Sequence, residues 1–430
     1  MLIRLIYTLL LALASPILLF GLYKSKPNKP KFGPRWKEHF GITPKLNTDQ
    51  RPIWIHAVSV GESIAAAPLI KALKKQNPEQ TILVTTTTST GAEQVEKLGS
   101  LVEHRYMPID FSFAVKGFLK ATNPKQMLII ETELWPNTLN TVHKAGIPIT
   151  VVNARLSEKS CNNYAKVQAL FNLLHPCLTQ VLCQAESDAD RFERLGVERN
   201  KLSVTGSIKF DIQISDDVKA KGKALRSALG EHRPVWIAAS THKGEDEQVL
   251  EAHKQVLESQ PNALLILVPR HPERFDDVFA LCQQQGFETV RRTTLSNIST
   301  QAELADSTQV YLGDTMGEML ILLGAADVCF MGGSLSGDKV GGHNVLEPAA
   351  LGVPVITGPS YYNFAEIVDK LREVKGIVVN ANSNEIANSL VQWFLTSCAD
   401  RDNAINSAFS VLSVSSGSIR KTIERLEQVS

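Results

Sequence analysis

The chain has 430 residues, 43% of them hydrophobic and 21% charged, which is too long for one ordinary core and too apolar for disorder, so two globular domains are expected. Lys plus Arg (45) nearly balances Asp plus Glu (44); no global basic field argues for nucleic acid, and any polyanionic partner must be met locally. The six cysteines form no CxxC pair and the ten histidines show no HxxxH or HExxH spacing, which points to reduced thiols, a cytoplasmic catalytic part and no metal site.

The first predicted element is an uncharged apolar run over residues 5–23, close to the ~20 residues a helix needs to cross about 30 Å of hydrocarbon. Ala12-Leu13-Ala14 resembles a signal-peptide cleavage site, but the run continues through Ile17 to Leu22, which favours a retained anchor. Lys24, Lys26, Lys29, Lys31, Arg35 and Lys37 follow. By the positive-inside rule they leave the rest of the chain in the cytoplasm, and they also suit anionic head groups. The expected organisation is a single-pass anchor (1–23), a basic juxtamembrane segment (24–50), a first domain (51–211) and a second (212–430).

Apolar, β-rich runs then alternate with amphipathic segments: 53–58, 81–86, 127–130, 149–152 and 181–183. After a charged, helix-like stretch at 211–231 a second series follows at 235–239, 264–268, 310–312, 328–331 and 353–357. Such alternation predicts two doubly wound α/β domains with parallel sheets, with ligands in a crevice outside the carboxyl ends of the strands. Neither a G-x-G-x-x-G nor a G-x-x-x-x-G-K-[ST] string is present, which weakens dinucleotide and NTPase readings.

Most of the chemistry-bearing residues follow predicted strands. In "HAVSVGES" a strand breaks before Glu62, which sits in a first helical turn; a helix-dipole partner is the plain alternative there. "ETELWPN" follows the run 127–130 and offers Glu131 and Glu133, with Pro136 suited to a first helical turn. "GSIKFD" supplies Lys209, an isolated cation near the end of the first half. In the second half, Pro269 and Arg270 follow a strand, and the guanidinium suits a bidentate grip on phosphate. "GDTMGEM", with Met316, Gly317 and Glu318, opens another helix whose N–H groups suit an anion. "GGHNVLEPAALGVPVITGP" combines glycine turns, a helix start at Asn344, then Val345, Leu346 and Glu347. A carboxylate at Glu347 can accept hydrogen bonds from both hydroxyls of a ribose.

At these residues the sequence resembles the 3-deoxy-D-manno-octulosonic acid (Kdo) transferase family, inverting glycosyltransferases of the GT-B fold that act in lipopolysaccharide assembly. The resemblance runs over nearly the whole chain, through "HAVSVGE", "ETELWPN", "NARLS", "GSIKFD", "PRHPERF", "GDTMGEM" and "GGHNVLEPA". It departs from the family in a longer loop at 336–340 and in Val345, where proline is common. The resemblance implies two Rossmann-like domains facing a crevice behind one transmembrane helix. Glu62 would be the general base, with Glu131 and Lys209 assisting the transition state. CMP would lie against Pro269, Arg270, Met316 to Glu318 and Asn344 to Glu347. The implied partners are CMP-Kdo as donor substrate, a lipid A precursor (lipid IV-A) as acceptor, and the inner membrane; no cofactor, metal or nucleic acid is implied. A sugar-nucleotide 2-epimerase would share the second half but needs no anchor. A tethered binding protein without catalysis is disfavoured by Glu62, Glu131, Lys209 and Arg270.

Overall fold

Strands buried on both faces read as continuous apolar runs, and the predicted runs resolve into two parallel sheets in a computed structural model that describes residues 2–24, 30–212, 214–294, 304–394 and 398–428. Lys26 and Lys29 of the basic cluster lie outside the described residues. The chain divides into unit 1, Met1–Asp211 with Ser415–Ser430, and unit 2, Ile212–Val414.

Unit 1 holds β1 (Ile53–His56), β2 (Ile82–Thr86), β3 (Glu103–Tyr106), β4 (Gln126–Ile130), β5 (Ile149–Ala154), β6 (Gln180–Cys183) and β7 (Leu202–Val204). They form one parallel sheet in the order β3-β2-β1-β4-β5-β6-β7, so the winding reverses between β1 and β4. Unit 2 holds β8 (Val235–Thr241), β9 (Leu264–Pro269), β10 (Thr289–Arg291), β11 (Val310–Leu312), β12 (Val328–Met331), β13 (Val355–Thr357) and β14 (Ile377–Val379). Their order is β10-β11-β9-β8-β12-β13-β14, with the reversal between β8 and β12. Reversals of this kind open the crevice in which doubly wound sheets bind ligands.

Every residue of β1, β4, β5 and β9 is buried, and each such large apolar side chain contributes roughly 1.5–3 kcal/mol. In unit 1 the Trp54 ring packs 4.6 Å from Phe118 and its indole N–H donates to Thr85 Oγ1 at 2.8 Å. In unit 2 the buried Trp236 donates to His253 Nδ1 at 3.1 Å. All six cysteines are buried free thiols.

The sequence boundaries need one revision at the carboxyl end. The helix Ser418–Glu427 belongs to unit 1, where Ile419 and Leu426 join the apolar cluster of Ile53, Leu69 and Leu73. The Asp211 carboxylate accepts from the backbone N–H groups of Gly417 and Ile419, which ties the return point to the departure point. At the amino end the apolar run is a helix, Leu2–Tyr23, long and apolar enough to cross a membrane by length and composition. It does not project alone: it packs against the helices Pro136–Lys144 and Gln168–Leu174 of unit 1.

Candidate active site

In unit 1 the predicted residues gather beyond the carboxyl ends of β1 and β4, where the winding reverses. The Ser59 hydroxyl caps the helix Val60–Gln76 by accepting from Glu62 N at 3.3 Å. The Glu62 carboxylate turns back to accept from Val58 N at 2.7 Å and from the Ser59 hydroxyl at 2.8 Å. This is a variant of the capping box, with the carboxylate reaching Val58 N and the Ser59 hydroxyl in place of Ser59 N, so the helix-stabilising role weighed for Glu62 is realised. It does not exhaust the residue, because a carboxylate offers about four acceptor directions. Glu62 is only 8% exposed. Burial pushes its carboxyl above the usual range, against the two hydrogen bonds, and the nearby charges of Glu133 and Glu131 act in the same direction as burial.

Glu131, the first residue past β4, adopts a left-handed backbone with φ 61°, a conformation that non-glycine residues rarely hold without cause. Its carboxylate lies 3.4 Å from Lys209 Nζ. Lys209 is placed by Asn153, fully buried with φ 57°, whose Oδ1 accepts from Ile208 N at 3.1 Å. Pro136 begins its helix as expected, and Glu133 accepts from the Trp135 indole at 3.1 Å. Beneath them His56 is 1% exposed, burial lowers its pKa to about 4, and its Nε2 has no partner among the described residues.

In unit 2, Arg270 follows β9 on the surface, with its backbone N–H on Thr241 O at 2.9 Å. Its charge acts on His242, His343 and Glu347, which places these four groups together. His242 and His343 stack with rings 5.1 Å apart and Nε2 atoms 2.9 Å apart. That spacing leaves room for one proton between the two nitrogens. Burial lowers the His343 pKa to about 4, aided by His242, Arg270 and His271. Glu347 is half-buried; burial raises its carboxyl, while Asn344 Nδ2, at 3.1 Å, and Arg270 oppose the rise.

Sequence reasoning missed the residue that shapes this region. Glu245 is 0% exposed and accepts from His242 N at 2.8 Å, Gly333 N at 2.7 Å, Ser334 N at 2.8 Å and Leu335 N at 2.8 Å. One carboxylate thus fixes the turn after β8 and the glycine turn after β12. The available signal was the string "ASTHKGEDE", again at a strand end.

Three expectations about donor contacts are revised. The helices expected to open at Asn344 and around Met316 are Leu346–Ala350 and Met319–Leu323, five residues each, too short to aim a useful macrodipole at an anion. Val345 and Leu346 turn their side chains into the core at 1% and 0% exposure, and Pro269 is buried, so these three can offer a ligand only their backbones. Glu318 is engaged by Arg292, at 3.0 Å, and by the Thr315 hydroxyl, beside the exposed Met316. The long loop at 336–340 is held by the Tyr362 hydroxyl on Asp338 O at 3.0 Å and by Asn363 Nδ2 on Val340 O at 2.6 Å.

Two parallel α/β units with polar groups at the carboxyl ends of central strands are the components of a GT-B fold, and with the family matches of its two halves the chain is a glycosyltransferase. Residues 237–411 match the family described as glycosyl transferases group 1. The solved structure of HepE from Anabaena in complex with UDP and glucose is 15% identical, covers 89% of this chain and all of its own (100%), and gives a TM-score of 0.51, a likeness of fold. Residues 34–212 match the family described as 3-deoxy-D-manno-octulosonic-acid transferase (kdotransferase). The 3-deoxy-D-manno-octulosonic acid transferase of Haemophilus influenzae is 38% identical over 99% of this chain and 98% of its own length. That of Bordetella pertussis is 35% identical over 87% of each. The chain belongs to the 3-deoxy-D-manno-octulosonic acid transferase family.

Proposed function

We propose that this transferase moves Kdo from CMP-Kdo to a lipid A precursor of the lipid IV-A kind, with inversion and release of CMP, in lipopolysaccharide core assembly. The observation that carries the reading is the buried Glu62 carboxyl grouped with Glu131 and Lys209 at the switch point of unit 1. A sugar hydroxyl is too weak an acid to attack as a free alkoxide. Glu62 takes its proton as the new bond to the anomeric carbon forms. The bond from that carbon to the CMP phosphate oxygen breaks in the same displacement, and attack from the opposite face inverts the centre.

Unit 2 holds the donor: Arg270 meets the phosphate, Glu347 the ribose hydroxyls, and Asn344, Val345, Leu346, Pro269 and the segment Met316, Gly317 and Glu318 complete the CMP site, in part through backbone groups. Lys209 is a cation for charge developing in the transition state, and Glu131 fixes its ammonium. The chain's own cations serve this purpose without a metal ion or further cofactor. The amino-terminal helix and the lysines after it hold the enzyme at the cytoplasmic face of the inner membrane, where a lipid acceptor resides. The direct test is incubation of the full chain with CMP-Kdo and lipid IV-A, following CMP release and the mass of the lipid. A Kdo-sized increment in lipid mass is expected; CMP release without a modified lipid overturns the acceptor assignment.

A further inference from the structure

The helix Leu2–Tyr23 is docked on unit 1 at both ends. Near its start the Tyr7 hydroxyl donates to Asp110 Oδ2 at 2.8 Å, and Thr8 Oγ1 accepts from Asn137 Nδ2 at 3.0 Å. Asp110 is a firm attachment point, only 7% exposed and already accepting from Asn137 N, Thr138 N and the Thr138 hydroxyl at 3.2, 2.6 and 2.7 Å. At its end the Tyr23 hydroxyl shares a 2.7 Å hydrogen bond with His39 Nδ1, and the ring packs edge-on against Phe32 at 5.4 Å. Between these points Leu11, Ser15 and Leu19 are partly covered, continuing a stripe of helical period from Arg4 to Leu22. Tyr7 and Tyr23 are sixteen residues apart, about 24 Å at ~1.5 Å per residue.

A spanning helix and a docked helix make incompatible demands. Crossing ~30 Å of hydrocarbon while fastened over about 24 Å of its length would drag the helices Pro136–Lys144 and Gln168–Leu174 into the bilayer. Their exposed His143, Lys144 and Asn172 would then face lipid, where ionisable and polar groups are strongly disfavoured. The uncovered face of the amino-terminal helix is apolar throughout, with Leu2 69%, Leu9 57%, Leu13 77%, Ile17 76% and Phe20 69% exposed. Exposed Phe113, close in sequence to Asp110, and exposed Trp36, whose carbonyl receives the Tyr23 hydroxyl, stand beside the two docked ends. From Met1 to Lys37 the sequence holds no acidic residue but seven Lys and Arg, which complements an anionic surface. Next to the last helical turn a cavity of about 500 Å³ has apolar walls from Leu19, Leu22 and Phe32 with Lys24 and Lys31 beside them, a lining matched to an acyl chain and its phosphate.

We infer that the amino-terminal helix lies in the plane of one leaflet, with its docked stripe on unit 1 and its Leu13/Ile17 face in the acyl boundary of an anionic bilayer, so that the enzyme is monotopic and not single-pass. This rests on the membrane attachment proposed above and replaces the single-pass anchor expected from the sequence. Single cysteines at two exposed positions of the full chain, Leu2→Cys and Glu96→Cys, report the outcome, because the native thiols are all buried. The variants are expressed in a Gram-negative bacterium whose outer membrane has been made permeable, and treated with a membrane-impermeant maleimide before and after lysis. An in-plane helix leaves both positions unlabelled until lysis, with the protein in the membrane fraction. Labelling of Leu2→Cys before lysis, with Glu96→Cys still protected, means that the helix spans and overturns the inference. Recovery of the protein in the soluble fraction overturns membrane attachment itself, a result distinguishable from the first by fractionation alone.

Discussion

Lys209 Nζ stands 3.4 Å from Glu131 Oε1, joining the turn after β7 to a residue whose backbone is left-handed at φ 61°. Both side chains are about a third exposed, so the pair contributes little to stability, on the order of 0–1 kcal/mol. A glycine relaxes a left-handed backbone by roughly 1–2 kcal/mol. Glu131→Gly is therefore expected to hold or raise the thermal midpoint while lowering kcat by about 10- to 100-fold, the worth of a charged hydrogen bond in the transition state. Calorimetry paired with a CMP-release assay checks this, and a fall in midpoint would show that the side chain serves the fold.

For Glu62→Gln, kcat should drop by ~10²–10⁴-fold, the usual contribution of a general base, with little change in CMP-Kdo affinity. The capping box adds a stability cost of about 1 kcal/mol, since an amide reproduces only part of the bonding to Val58 and Ser59. Because burial raises the Glu62 carboxyl, the acid limb of the kcat profile should lie above the ordinary carboxylate value of 4.5 and vanish in the variant. The stability effect has the opposite sense: a raised pKa favours the folded state at low pH, and that advantage is lost as pH rises through it. Wild-type turnover in Glu62→Gln would remove this residue as the base.

Arg270→Ala and Glu347→Ala should each weaken CMP binding by roughly 1.5–3 kcal/mol, or about 10- to 150-fold, without unfolding unit 2. Titration calorimetry with CMP reads this directly. Unchanged affinity in both variants would dispose of the nucleotide site as placed.

Glu245→Ala should be severe for a different reason. It strands four backbone N–H groups around a buried turn, a loss expected to exceed about 3 kcal/mol. Glu245→Gln should fall between the variant and the parent. Urea unfolding of the full chain measures both; a Glu245→Ala midpoint within error of the parent would mean that the glycine turns hold themselves.

The sequence was most legible where burial is two-sided. All ten predicted apolar runs correspond to strands, and the four strands it missed, β3, β7, β10 and β14, are the four edges of the two sheets. An edge strand has one neighbour and tolerates polar residues, as Glu103-His104-Arg105 does in β3, and so can lack the continuous apolar signature; β14, Ile377–Val379, carries it and was nonetheless missed. Glu62, Glu131 and Arg270 stood out because each follows a predicted strand end, Lys209 because it is an isolated cation near the end of the first half, and Glu347 because it follows a glycine-rich string. Glu245 did not, since three of its four backbone partners lie 88 to 90 residues away and its neighbours Asp246 and Glu247 make it look like an ordinary acidic helix start. The stacked His242 and His343 were hidden in the same way, 101 residues apart. The docking of the amino-terminal helix was equally invisible, because Tyr7 and Thr8 are unremarkable inside an apolar run until Asp110 and Asn137 are placed beside them.

Unit 2 is an insertion between Asp211 and Ser415, and unit 1 is closed by the last helix of the chain. A ribosome that has delivered residues 1–211 has therefore made a sheet that still lacks Ile419 and Leu426 against Ile53 and Leu73. The amino-terminal unit, begun first, is completed last, and its apolar flank around Ile53 and Leu73 stays uncovered through the whole synthesis of its neighbour. Once closed, the two crossings act as a double tether: a single protease cut at either one leaves unit 2 covalently held, and only cuts at both release it.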